Sequence, residues 1–209
     1  MKKFKLAVAA IAVLFAGSMF AQPVHDNGVV PVAVTLNSVL RLNIVSGGNI
    51  EFVFNNVQEY KVGKANGGAN DLYTTNVTVA ASNDWNLRLM AEDATLIGTD
   101  DNGNTMALDN VGYAVSFNGI AAYAFAAKNA CATAYVGTYA NAAVLTNAYV
   151  DVITPNGASH NAGEVTDNDF IFYWAAGTGA GALTNTSFIE QNLTPDRYVT
   201  NVFLNLERL

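Results

Sequence analysis

Histidines and clustered acidic residues are the side chains in this sequence that could carry out chemistry. His25 and His160 are the only histidines, and neither stands in a zinc-like spacing with Cys or another His. His160 could be combined on paper with a serine and an aspartate, but no nucleophile-elbow motif surrounds a serine. We therefore predict no catalytic residue and no zinc site, and we interpret His160 as part of a polar surface loop.

An acidic loop at residues 100–104 is the main candidate for binding a metal, and residues 167–169 are a similar, weaker one. It offers several oxygen ligands close together, as calcium sites do, but it lacks the distant glutamate that completes a calcium loop. Asp-Asn-Gly also suits a tight β-turn, because Asn and Gly tolerate positive φ. The turn is the favoured interpretation. Calcium binding is the alternative, and its candidate ligands are Asp100, Asp101, Asn102 and Asn104. No other cofactor is expected.

Aromatic residues are the candidates for binding a glycan or another protein. Trp85 and Trp174 could stack on sugar rings, but both fall in phase with the apolar face of a predicted strand, which favours packing in the core. An Ala-rich, almost uncharged segment, residues 119–149, holds tyrosines that no alternation places inside. An exposed surface of this composition suits a protein–protein contact. The predicted contact residues there are Tyr123, Tyr135, Tyr139 and Tyr149.

The elements that must position these residues are short runs with a period of two. Apolar and polar residues alternate in the runs 29–36, 38–45, 50–54, 73–81, 85–89, 111–117, 170–174 and 198–206. Gly, Asn and Asp separate many of these runs, and Gly47-Gly48-Asn49 predicts a hairpin between residues 38–45 and 50–54. Many short alternating strands indicate a sandwich or barrel. We predict an all-β antiparallel sandwich with long loops and an Ala/Tyr-rich insertion.

The N-terminus predicts export. Lys2, Lys3 and Lys5 precede an apolar run from Leu6 to Gly17, and Ala21 ends a processing-like site, so residues 1–21 are interpreted as a cleaved signal peptide. The apolar run is shorter than the 18 or so residues that a membrane-spanning helix needs, and no transmembrane segment is predicted in the mature chain. Residues 22–209 are predicted to form a single domain. The lone Cys131 cannot make an intramolecular disulfide, and we interpret it as buried.

The charge balance excludes one class of partner. Without residues 1–21, seven Lys and Arg face 17 Asp and Glu, so the mature chain carries a net charge of −10. Such an acidic chain has no electrostatic footprint for nucleic acid, and anionic lipid surfaces would repel it. Nucleic-acid binding is therefore not expected.

Three stretches resemble secreted bacterial β-sandwich surface proteins. Residues 82–89, SNDWNLRL, resemble the small-Asn-x-Trp-x-Leu strand of WxL-like surface domains. Residues 193–209 resemble the closing strand of those domains and of fimbrial or spore-coat-U-like subunits, in which a turn, here Pro195-Asp196, leads into a tyrosine. The layout of residues 40–63 resembles the same group, and the Phe-Ala-Gln end of the signal looks like those of Bacteroidetes. The resemblance implies an immunoglobulin-like or pilin-like sandwich at the cell surface, without catalytic residues and with no particular ligand.

Residues 22–36 have two interpretations. They form an extended segment with an alternating apolar face, and Pro31 suits an edge position because it lacks an N–H group. The favoured interpretation is the first strand of the subunit's own sheet. The alternative is a strand donated to the sheet edge of a neighbouring subunit, as pilin-like subunits do. The contact residues in that case are Val30, Val32, Val34 and Leu36.

Three function classes remain open at this point. We expect a non-enzymatic structural or adhesive subunit that reaches the cell surface or the extracellular space, with the periplasm as an alternative location. Its partners would be copies of itself or other envelope proteins, and a glycan is a further candidate. A secreted carbohydrate-binding module is the second class and requires an exposed aromatic platform. A secreted hydrolase is the third and requires two carboxylates or a metal in one cleft. All three function classes occur on the same kind of fold, so the fold alone does not discriminate between them.

Overall fold

The computed structural model describes residues 31–65, 73–118, 125–127, 142–155 and 160–209. The chain divides into two compact units, Met1–Leu36 and Asn37–Leu209, and every described strand lies in the second. The predicted signal peptide, residues 1–21, falls outside the described residues.

An antiparallel sheet, here called sheet A, forms one layer of the second unit. Its strands follow the order β1-β3-β11-β7-β9, and β2 pairs with the end of β11. The strands are β1 (Leu40–Ser46), β2 (Lys64–Ala65), β3 (Thr74–Ala81), β7 (Val111–Phe117), β9 (Ala143–Val144) and β11 (Asp169–Ala176). Buried and half-buried residues alternate along β3, because successive side chains of a strand point to opposite faces of the sheet.

A second antiparallel sheet, sheet B, forms the facing layer in the order β13-β4-β10-β8. Its strands are β4 (Trp85–Ala91), β8 (Phe125–Ala127), β10 (Val150–Pro155) and β13 (Val202–Arg208). A small sheet C completes the second unit in the order β12-β5-β6, with strands β5 (Thr95–Gly98), β6 (Thr105–Ala107) and β12 (Tyr198–Val199). Two short helices, α1 (Val57–Val62) and α2 (Phe188–Gln191), lie in the connections.

The core lies between sheets A and B. Trp85 of β4 meets Phe170 of β11 edge to face, with ring centroids 5.9 Å apart, so the two layers touch through aromatic rings. Trp85 is 0% exposed and Trp174 is 7% exposed, which confirms that both tryptophans pack in the core. The predicted all-β, sandwich-like fold is confirmed.

The predicted hairpin between residues 38–45 and 50–54 is wrong. β1 forms, but it pairs with β3 rather than with residues 50–54, which form no strand. The turn at Gly47 is tied to β3 instead, since the Thr75 hydroxyl donates a hydrogen bond to the Gly47 carbonyl oxygen at 2.6 Å. Residues 50–54 alternate in burial all the same, because Phe52 and Phe54 pack against the core without entering a ladder.

The interpretation of residues 22–36 as the first strand of the subunit's own sheet is also wrong for residues 31–36, the part that is described. Residues 31–36 adopt no secondary structure. In their own unit, Val32, Val34 and Leu36 are 84%, 79% and 90% exposed. Val30 lies outside the described residues.

The two sides of the sandwich differ in the length of their edge strands. On one side the edges are β8 and β9, of three and two residues. Both short strands lie in the Ala/Tyr-rich insertion, in which irregular strands were expected, whereas β10 was not predicted. On the other side the edges are β1 and β13, of seven residues each, and these two strands contact each other. We call this second side the open side.

In the described part of the chain, no helix is both long enough and apolar enough to span a membrane.

Candidate functional site

A groove of about 770 Å³ runs into the open side of the sandwich. One wall is formed by Ile44 of β1 and residues 47–54, and the other by residues 193–204, which include β12 and the start of β13. Trp174 and Phe188 are among the buried core residues that line its floor. The groove therefore leads from solvent to the hydrophobic core.

The surface of the groove is apolar inside and polar at its mouth. Ile44 and Phe203 are 49% and 42% exposed on its two walls. At the mouth, the Arg197 guanidinium meets the Glu51 carboxylate, with Nε and Oε1 2.9 Å apart. Apolar atoms make up the larger part of the lining, so the groove suits an occupant with apolar side chains.

Backbone groups of β1 point into the open side. Ala81 of β3 exchanges both of its backbone hydrogen bonds with Gly163, so it makes none to its β1 neighbour Leu40. The preceding residue, Val39, directs its backbone groups toward β3 instead, since its carbonyl oxygen accepts the Ser82 N–H at 2.9 Å. Because the phase alternates along an antiparallel ladder, Leu40, Leu42 and Ile44 direct their N–H and C=O groups away from β3. Among the described residues, none makes a backbone hydrogen bond to these groups, so this edge can pair with a further strand.

The carboxylate of Asp196 holds the second wall in place. Its Oδ1 accepts the backbone N–H groups of Thr99 at 3.1 Å, Asp100 at 3.0 Å and Arg197 at 2.7 Å. Its Oδ2 accepts the Asp101 N–H at 3.2 Å and an Asn104 side-chain N–H at 2.9 Å. These hydrogen bonds, the one from Asn104 first among them, lower the pKa of Asp196 to about 2. The sequence pattern placed Asp196 only in a turn.

The acidic loop 100–104 forms the turn between β5 and β6. The Gly103 N–H donates to Asp101 Oδ1 at 2.8 Å, and the Asn104 N–H donates to the Asp101 carbonyl oxygen at 2.9 Å. Within the described ranges, no three His, Cys, Asp or Glu side chains come together to hold a metal ion. The loop therefore forms the turn that was the favoured interpretation, and calcium binding by Asp100, Asp101, Asn102 and Asn104 stays the untested alternative.

Outside the groove, the side chains of His160 and Asp84 form a hydrogen-bonded pair. His160 Nδ1 lies 2.8 Å from Asp84 Oδ2, and the imidazole is 79% exposed. This hydrogen bond is the main reason why the pKa of Asp84 is lowered. His160 is thus the surface-loop residue that the sequence predicted. Beside it, Asn161 is buried and fastens the loop to Trp85, through side-chain hydrogen bonds of 3.0 and 2.8 Å to the Trp85 backbone.

The predicted contact tyrosines are described only in part. Tyr149 is 39% exposed, and the Arg88 guanidinium carbon lies 5.4 Å from the centroid of its ring. Tyr123, Tyr135 and Tyr139 lie outside the described residues. The predicted contact role of all four stays a prediction.

Comparison with known proteins gives no assignment. No protein-family model matches this chain, and no curated protein is significantly similar to it.

Proposed function

We propose that the protein is an exported, non-enzymatic subunit of a cell-surface structure, which assembles with copies of itself by adding a strand to the open side of its sandwich. The single observation that carries the proposal is the apolar groove between the two long edge strands β1 and β13. Export rests on the signal-like sequence of residues 1–21.

The edges support a strand-addition surface because proteins normally protect exposed sheet edges. Very short edge strands are one such protection, and β8 and β9 have it, with three and two residues. β1 offers instead a regular edge from Leu40 to Ile44, which ends at a register shift between Ile44 and Ser46. An extended segment that paired there would bury apolar side chains and satisfy the free backbone groups together.

The other two function classes have less support. A carbohydrate-binding module would need an exposed platform of tryptophans or tyrosines, and both Trp85 and Trp174 are buried. A hydrolase would need free carboxylates in the groove. Glu51 is paired with Arg197, and Asp196 is occupied by the donors of the β5–β6 turn.

The first test is the state of the protein isolated from the envelope of cells that express the full-length chain. Size-exclusion chromatography with light scattering, together with negative-stain microscopy, should show filaments or large ordered assemblies. Ile44→Lys puts a charge on the groove wall and should abolish assembly while circular dichroism stays native. Val165→Lys is the matched control, because Val165 is an exposed apolar residue that does not line the groove. A monomeric wild-type protein at high concentration would reject the proposal.

A further inference from the structure

We propose that Asn102 is a site of spontaneous deamidation, which leaves an aspartate or an isoaspartate in the β5–β6 turn. Asn102-Gly103 is the one asparagine–glycine pair that lies wholly within the described residues. Three features carry the inference, namely the glycine, the Asp101 carboxylate that accepts its N–H, and the exposure of the turn.

Gly103 leaves its backbone nitrogen open to the asparagine side chain. In deamidation the nitrogen of the following residue attacks Cγ of the asparagine, and glycine allows the closest approach to a backbone because it has no Cβ. A Cβ atom added to Gly103 would lie 3.2 Å from Asp101 Oδ1, and its next neighbours are the other atoms of that carboxylate. Residues 101–103 are all exposed, so no part of the described core restrains this turn.

The Asp101 carboxylate is placed to take the proton that the attacking nitrogen must lose. An amide nitrogen is a poor nucleophile, because its lone pair is shared with the neighbouring carbonyl group. The Gly103 N–H donates to Asp101 Oδ1 at 2.8 Å, which is within the reach that a general base requires. Asp101 therefore touches one of the two reacting groups before the reaction begins.

The reaction balances with water as its one co-reactant. The Gly103 nitrogen forms a bond to Asn102 Cγ while its proton passes to Asp101. The Cγ–Nδ2 bond then breaks, and Nδ2 leaves as ammonia with the proton that Asp101 returns. Water opens the cyclic imide at either carbonyl carbon. Opening at Cγ gives aspartate, and opening at the backbone carbonyl carbon of residue 102 gives isoaspartate.

Isoaspartate would lengthen the turn that holds Asp196. The main chain then runs through Cβ and Cγ of residue 102, which adds one atom to the backbone and leaves a carboxylate beside it. The Asp101 N–H and the Asn104 side chain, on either side of residue 102, both donate to Asp196 Oδ2, at 3.2 and 2.9 Å. A longer turn moves these two donors apart, so Asp196 loses part of its anchoring.

Deamidation therefore acts on one wall of the groove. Asp196 belongs to residues 193–204, which form that wall, and its carboxylate ties the wall to the β5–β6 turn. In the proposed function the groove accepts the added strand, and the effect on assembly rests on that function. Old, modified subunits would then assemble less well than newly made ones.

Peptide mapping by mass spectrometry tests the site. The protein is purified in folded form from cells that express the full-length chain, and it is kept at neutral pH. Electron-transfer fragmentation then measures aspartate and isoaspartate at residue 102. Asp101→Asn should slow their formation at least about tenfold, because an amide oxygen still accepts the Gly103 N–H but cannot take its proton. An unmodified wild type would overturn the site, and an equal or higher rate in Asp101→Asn would overturn the role of Asp101.

The matched control for this rate is Asp100→Asn. It removes the same charge from the same turn, whereas the Gly103 N–H donates to Asp101, so the rate at Asn102 should not change. The other asparagine–glycine pairs of the chain are internal references in the same digest, and Asp101→Asn should leave their rates unchanged. These pairs are residues 27–28, 66–67, 118–119 and 156–157.

Urea denaturation of the aged protein tests the effect on Asp196. Anion exchange separates the modified fraction by its added negative charge, and the part that contains isoaspartate should unfold at a lower urea concentration at pH 6 and assemble more slowly. Asn102→Asp is the control, because it adds the charge without lengthening the backbone, and it should shift the midpoint less. Equal midpoints would overturn the effect on Asp196. A wild-type protein that never assembles would reject the proposed function and leave the mapping and urea results intact.

Discussion

The Tyr113 hydroxyl is the clearest single-residue weakness of the core. Tyr113 is 0% exposed, and its ring packs against those of Phe172 and Trp174, at centroid distances of 6.1 and 5.8 Å. Its oxygen has no hydrogen-bond partner among the described residues. Burial raises the pKa of this phenol to about 12, so it stays neutral at physiological pH. An unpaired buried hydroxyl costs about 1–3 kcal/mol.

Removing that hydroxyl should therefore stabilise the protein. We expect Tyr113→Phe to raise the free energy of unfolding by about 1 kcal/mol, measured by urea denaturation. Tyr198→Phe is the matched control, because the Tyr198 hydroxyl donates to the Thr194 carbonyl oxygen at 2.6 Å. The control should lower the same free energy by about 0.5–1.5 kcal/mol. Destabilisation by Tyr113→Phe would show that its hydroxyl has a partner.

Asp196 should make stability depend on acid pH. Its pKa is about 2 in the folded chain, below the ordinary value of 3.8. The unfolded chain therefore binds the proton more readily, so the stabilisation is complete well above pH 3.8 and is lost as the pH falls through about 2. Asp196→Asn should lower the urea midpoint at pH 6, and the gap to the wild type should narrow between pH 4 and pH 2.

The control for this titration is Asp100→Asn. Asp100 lies on the same turn, but it contacts Asp196 through its backbone N–H, which the substitution of its side chain leaves in place. The urea midpoint of this variant should follow that of the wild type over the same pH range. A gap between Asp196→Asn and the wild type that stays constant from pH 6 to pH 2 would mean that the charge of Asp196 does not provide the stabilisation.

At the scale of elements, the turn that ends β1 depends on one of two adjacent glycines. Gly47 has a φ of +68°, and a Cβ atom there would lie 1.8 Å from the Thr74 carbonyl oxygen. At Gly48 the nearest atom to a Cβ is Ile44 Cγ2 at 3.9 Å, an ordinary contact. We expect Gly47→Ala to lower the free energy of unfolding by more than about 1–2 kcal/mol, from left-handed strain plus the clash. Gly48→Ala should change it by less than about 0.5 kcal/mol. Equal effects in thermal denaturation would contradict this account of the turn.

The sequence predicted elements better than it predicted their partners. Alternation located β3, β4, β7 and β11 and placed Trp85 and Phe170 inside, because burial of one face is a local property of a strand. Pairing is not local. β1 was predicted to pair with residues 50–54, which follow it closely in the sequence, but its partner is β3. The turn after β1 is held by this distant strand, because the Thr75 hydroxyl donates a hydrogen bond to the Gly47 carbonyl oxygen.

The groove was beyond the reach of the sequence for the same reason. Its walls come from β1 and from residues 193–204, which are far apart in the chain. The role of Asp196 depends on backbone N–H groups of residues 99–101. Nearly every residue type has a backbone N–H group, so the sequence does not show which residues act as donors. The alternating apolar face of residues 32–36 was visible in the sequence, but its exposure was not.

At the scale of the whole molecule, net charge should oppose assembly. The full chain has a formal net charge of −7, and the chain without residues 1–21 carries −10. Copies that approach through the groove therefore repel one another, because like net charges act over a Debye length. That length falls from about 30 Å at 0.01 M salt to about 10 Å at 0.1 M, so salt should favour association.

Assembly followed by light scattering should therefore become faster and more complete as NaCl rises from 10 to 300 mM at neutral pH, with EDTA present to exclude calcium. The control is the same series near pH 4.6, the isoelectric point of the sequence, where the net charge is small and salt should have little effect. Assembly that weakens with salt at neutral pH would point to attraction between charged surfaces instead. Burial of apolar surface in the groove would then not be the main driving force, because that burial is not screened by ions.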